Sequence, residues 1–237
     1  MTLARCLGLV AGLAVLATLP MVRRGSASEI VTSEPGLTIV KDAVGDMQLA
    51  NCERAQQRKP CTIGVGMSRT QPGWVDIESA EIRQVDADTV ELSMTLQAPI
   101  PKSPSVPVLI YYWQFQDGCN EPSPTNKDGA NAFWNGHSWS AQWFVVQSCK
   151  PRQVVVGNPI PVRFEDGTVS LRVRVADLVT RQGAALRWFA ATRLLVFKHP
   201  VFARTLPVDT APDVVTIDSA HPDKPRHPEQ AATWIPR

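Results

Sequence analysis

Histidine and tyrosine are scarce in this 237-residue chain, at four and two copies. None of the histidines (His137, His199, His221, His227) sits in a His-Glu-x-x-His motif. Gly-x-Ser-x-Gly and the phosphate-binding glycine loop are missing as well. The chain therefore lacks the signatures that seat zinc, a nucleophilic serine or a nucleotide phosphate. An excess of one charge is absent too, with 24 Lys and Arg against 22 Asp and Glu. Nucleic-acid binders carry basic stripes, so no nucleic-acid partner is expected. After residue 22 no apolar run approaches the roughly 20 residues of a spanning helix.

The one long apolar run opens the chain. Arg5 precedes the 17 residues Cys6 to Val22, and the small residues Gly25, Ser26, Ala27 and Ser28 follow. This order predicts a secretory signal over 1–28, cut after Ala27 or Ser28, and a periplasmic or extracellular destination. Arg23 and Arg24 sit where positive charge opposes translocation, so an uncleaved N-terminal anchor is the alternative. Cleavage removes three arginines and no acids, leaving 21 basic and 22 acidic residues among 209. That length buries one substantial core. With the signal gone, no membrane partner is expected.

Four cysteines then remain: Cys52, Cys61, Cys119 and Cys149. An even number behind an export signal predicts two disulfides. Zinc ligands come as pairs about two to four residues apart, whereas here the gaps are eight and 29 residues.

Period-two alternation dominates the rest. In "VELSMTLQ", Val90, Leu92, Met94 and Leu96 share one face and Glu91, Ser93, Thr95 and Gln97 the other. "DIESAEIRQV" before it reads as a hairpin partner, pairing 76–85 with 90–97. "VSLRVRV" repeats the pattern after Asp166-Gly167, a strong hairpin signal. "PVLIYYWQF" is apolar on both faces at first and predicts a central strand. "VADLVTRQG" suits one helical turn between Asp177 and Gly183. "RWFAATRLLVF" fits either element by length, and its β-branched and aromatic residues favour a strand. Twenty prolines keep the segments short.

The layout predicts an all-β fold, a single antiparallel β-sandwich of eight to ten strands, with a closed β-barrel as the alternative. The divisions expected are the signal 1–28, an N-terminal segment 29–73 with a disulfide loop, the sandwich 74–217, and a loose Pro-rich tail 218–237 tacked by Trp234.

Geometry bears on the cysteines. A direct antiparallel return of 139–148 beside 108–116 would leave Cys119 and Cys149 on the order of 30 Å apart. A disulfide needs Cα atoms within about 7 Å. Reading Asn135-Gly136 as a two-residue type I′ turn makes "ANAFW" the return strand and brings Cys149 back to the end of Cys119. Cys119–Cys149 and Cys52–Cys61 are then the favoured pairs.

"DIESAEIRQVDADTVELSMTLQAPIP", "YYWQFQDG", "VSLRVRVADL" and "DTAPD" together resemble bacterial secreted β-sandwich domains of the DOMON-like, family 9 carbohydrate-binding-like class, over about residues 74–213. The resemblance implies a sandwich and, among the functions of that class, sugar or heme binding. Gln116 stands where the class commonly has an aspartate. Met94 alternates with core residues, which argues against a heme ligand.

An exposed tryptophan is the usual platform for a sugar ring. Trp113, Phe115 and Trp143 read as core. Trp134 and Trp139 flank the Asn135-Gly136 turn and, with His137 and Asp117, form the candidate ligand site. The oxygen-rich loop with Asp117, Asn120, Glu121, Asp128 and Asn131 offers the one conceivable metal site, for calcium, though without EF-hand spacing. No other cofactor and no catalytic residue is expected. The function expected is an exported, non-catalytic module for a small ligand such as a carbohydrate. A structural or protein-interaction component of the cell envelope is the alternative, and a hydrolase with a loop-assembled site is a third reading.

Overall fold

The alternating segments are strands, and they pair as their patterns require. β3 (Ile77–Gln84) and β4 (Thr89–Leu96) form a hairpin in which Val90, Leu92, Met94 and Leu96 are buried. The Asp86 carboxylate closes its turn by accepting from the backbone N–H groups of Asp88 (2.9 Å) and Thr89 (2.8 Å). Those bonds, the Asp88 amide foremost, hold this carboxyl below the usual aspartate range. β9 (Val162–Glu165) turns into β10 (Thr168–Arg174) through Asp166 and Gly167, whose φ angles of 45° and 82° are both positive. That is the type I′ geometry Asp-Gly favours.

The structure, a computed structural model, describes residues 28–44, 73–115, 125–180, 183–198, 203–212 and 231–237. Residues 1–27, which hold most of the expected signal, Cys52, Cys61, Asp117, Cys119 and most of the expected tail lie outside the described residues.

Two antiparallel sheets result. The first runs β1 (Glu29–Glu34), β2 (Leu37–Lys41), β3, β4, β10, β9. The second runs β12 (Ala203–Ala211), β11 (Leu186–Lys198), β5 (Leu109–Phe115), β6 (Lys127–Trp134), β7 (Trp139–Cys149), β8 (Arg152–Pro159), with β13 (Ala232–Trp234) also on β11. Among the described residues helix is confined to a 3-10 turn at Gly73–Val75 and to α1 (Val175–Leu178), which begins two residues before the turn expected between Asp177 and Gly183 and ends at an extended Val179. No helix among the described residues is long and apolar enough to cross a membrane. Inward side chains of both sheets share one core, in which Trp113, Trp188, Trp234, Tyr111, Ile82 and Leu92 are fully buried. This is an all-β sandwich, with two separate hydrogen-bonded sheets in place of a closed barrel.

Three side chains of the seven-stranded sheet latch the strand entering the other sheet. The Tyr111 hydroxyl donates to the Trp74 carbonyl (2.9 Å) and Thr192 Oγ1 to the Val75 carbonyl (2.7 Å). Asp209 Oδ2 accepts from the Ile77 N–H at 2.6 Å. Burial pushes the Tyr111 hydroxyl far above the usual phenol range, so it stays a donor.

The chain ends depart from expectation. Residues 29–41 form an edge hairpin turned by Pro35 and Gly36 (φ 82°). The expected loose tail does not reach the C-terminus: β13 pairs Leu186↔Trp234, and Trp234 is fully buried, the tacking point its bulk suggested. β13 also reaches the edge hairpin, where Gly36 N–H donates to the Ile235 carbonyl (2.7 Å) and Thr38 Oγ1 to the Thr233 carbonyl (2.6 Å).

Candidate functional site

β5, β6 and β7 are consecutive neighbours, so β7 runs in the direction of β5 and Cys149 lies at the Phe115 end. Every other cysteine lies outside the described residues. The turn between β6 and β7 differs from its expected form. Trp134 pairs with Trp139, leaving a four-residue loop in which only Gly136 has a positive φ (91°). The Asn135 side chain sets this loop: its Oδ1 accepts from the N–H groups of His137 and Ser138, both at 2.9 Å. An Asx cap of that kind replaces the left-handed pair that a two-residue turn requires.

Trp134 and Trp139 are not an exposed platform. Trp134 is 5% exposed and its indole donates to the Val106 carbonyl at 3.1 Å. Trp139 is half-buried against the core, its ring centroid 5.6 Å from Tyr111 in a stacked pair and 4.6 Å from Phe164. His137 is exposed on the loop, and Asp117 lies outside the described residues. Trp134 and Trp139 do meet, with ring centroids 5.8 Å apart, while His137 faces solvent. Asp128 and Asn131, expected in a calcium loop, stand on β6 instead. Among the described residues no three His, Cys, Asp or Glu side chains gather to hold a metal. Met94 is fully buried in the core.

The residues that do converge lie on the outer face of the seven-stranded sheet. Tyr112 points away from the sandwich core, yet it is buried. Its ring lies across Gly129 of β6, where an added Cβ would fall 2.6 Å from the hydroxyl oxygen and 2.7 Å from Cζ. The hydroxyl donates to Asp128 Oδ2 at 2.8 Å. Phe144 of β7 meets the ring edge-on at 6.1 Å, and the Arg193 guanidinium of β11 lies 5.8 Å from its centroid. Phe189, Ala191 and Thr210 extend the same buried floor, and Ile110, Gln114, Phe133 and Gln142 form a half-buried rim. At its centre Asn131 is in register with Tyr112 on one side and Gln142 on the other. Asn131 is 3% exposed, and its Oδ1 has no hydrogen-bond partner among the described residues.

A tyrosine ring, an arginine, a carboxylate and an unsatisfied amide offer stacking, donors and acceptors in one place. Replacing Gly129 by alanine is expected to displace the Tyr112 ring and lower stability by about 1–3 kcal/mol, measured by urea unfolding. Sequence reasoning missed this face because it searched for tryptophan. The available signal was polar Asn131 between two alanines, on a strand whose neighbour is apolar on both faces.

The chain matches no protein-family model and no curated protein.

Proposed function

We propose that this chain is an exported, non-catalytic β-sandwich module that binds a hydroxyl-rich small ligand, a carbohydrate, on the outer face of the seven-stranded sheet. The observation that carries the reading is the buried Asn131 amide, whose Oδ1 lacks a partner beside the Tyr112–Asp128 pair. An unsatisfied buried acceptor costs about 1–3 kcal/mol. A ligand hydroxyl donating to it removes that cost while the Tyr112 and Phe144 rings meet the C–H face of a sugar. Export to the periplasm or beyond suits the N-terminal signal pattern and the pairs Cys52–Cys61 and Cys119–Cys149, which are part of this proposal.

Binding of soluble oligosaccharides, found on a glycan array and titrated by calorimetry, tests the reading. Asn131→Ala is expected to weaken binding by about tenfold or more. It should leave the unfolding midpoint unchanged or raised, since it removes a polar group that nothing pairs. A wild type that binds no glycan would sink the carbohydrate assignment. The inward packing of Trp134 and Trp139, which leaves no indole platform, favours a second reading as an envelope interaction component, and an empty array would select it.

A further inference from the structure

Two packed sheets present four edges, and an unprotected edge is a template for another strand. β1 is flanked by Glu29 and Glu34 and interrupted by a register shift. β9 is four residues long and carries the Arg163–Glu165 ion pair. β12 has two register shifts and includes Pro207, which has no N–H to offer. β8 is different. It pairs with β7 alone among the described strands, and its run Gln153–Gly157 has no charge and no proline. Val154 and Val156 stand 38% and 60% exposed on it. Register places them on the outer face beside Val146 and Phe144 of β7, so four apolar side chains form a strip along the open edge.

We propose that β8 pairs antiparallel with β8 of a second copy of this chain, centred on Val155. The charge pattern favours a like partner. In that register Val154 meets Val156 of the second copy, Gln153 meets Gly157, and Arg152 meets Asn158, so no like charges oppose each other. An acidic or basic peptide would instead lay its charges against the valine strip. The two outer faces then belong to one continuous sheet. Asn131 of each copy lies two strands in from the join and three to four residues along the strand from the level of Val155, so the two amides stand roughly 30–35 Å apart, five strand spacings across and six to eight residues along. A dimer would therefore present two sites side by side and engage a repeating ligand with both.

The pairing does not depend on the ligand reading: a monomer would overturn it and leave the Asn131 site untouched. The test is sedimentation of the full chain from about 1 μM to about 1 mM, with hydrogen exchange at both ends of the range. The expected result is a concentration-dependent dimer in which amide exchange across 153–157 slows. Val156→Lys, at an exposed position, should weaken dimerisation at least about tenfold with an unchanged unfolding midpoint. A wild type that stays monomeric throughout overturns the proposal. So does a dimer that Val156→Lys leaves intact, or one without slowed exchange on β8.

Discussion

Replacing Trp139 by alanine is expected to lower the unfolding free energy by about 3 kcal/mol. Its indole stacks on Tyr111 with the rings 12° from parallel, contacts Trp134 at 5.8 Å and reaches Phe164 of the opposite sheet at 4.6 Å. Removing it empties a space bounded by three aromatic rings that belong to both sheets, and β strands cannot easily collapse to fill it. The loss sits at the low end for a core tryptophan because Trp139 is only half-buried. Urea unfolding should show a lower midpoint with an unchanged slope. A variant within about 0.5 kcal/mol of wild type would mean that the ring adds little to the packing, and would return Trp139 to candidacy as a ligand platform.

Asp209→Ala is expected to cost a similar amount, about 3 kcal/mol. The carboxylate accepts from the N–H of Ile77 at 2.6 Å and from that of Thr210 at 2.9 Å. All three residues are buried, so alanine leaves two amides without an acceptor where water is scarce. Asp209 also joins the sheets, because Ile77 opens a strand of one and Asp209 closes a strand of the other. Asp209→Asn keeps one carbonyl oxygen and should recover part of the loss. The comparison to make is the unfolding free energy of both variants. An alanine variant as stable as wild type would show that the segment 74–77 is held by Tyr111 and Thr192 alone.

Much of the sandwich was legible because its strands keep one wet and one dry face. The alternation at Val90–Leu96 and Val169–Val173, and the Asp166-Gly167 turn, carry a period and a turn chemistry that tertiary contacts do not override. Asn135-Gly136 misled for a physical reason. Asparagine can enter the left-handed region or cap the backbone with its side chain, and here it caps. The partner of Trp134 then moves from His137 to Trp139, and His137 is left in solvent. β13 was invisible as a strand because three residues carry no period; only the bulk of Trp234 hinted at its docking. The candidate site was hidden by the same alternation that revealed the fold. Period two assigns Tyr112 and Asn131 to the outward side, and outward is ordinarily solvent. The neighbouring strands, with Gly129 making room for the ring and Arg193 beside it, set Tyr112 apart from an ordinary solvated side chain.

The contacts between β13 and the first hairpin set the order in which the molecule can be completed. Ser33 and Thr38 bond the Thr233 carbonyl, and Arg237 bonds the Pro35 carbonyl and the Gln84 side chain. Separations near 200 residues make these among the most distant contacts the chain can form. Closing such loops precedes any gain from them, which slows folding. During synthesis the hairpin of 29–41 can pair early, but its bonds to β13 cannot form until residues 232–237 are free. Until then the place in the core that Ala232 and Trp234 fill stays open, and an incompletely closed core exposes apolar surface to aggregation.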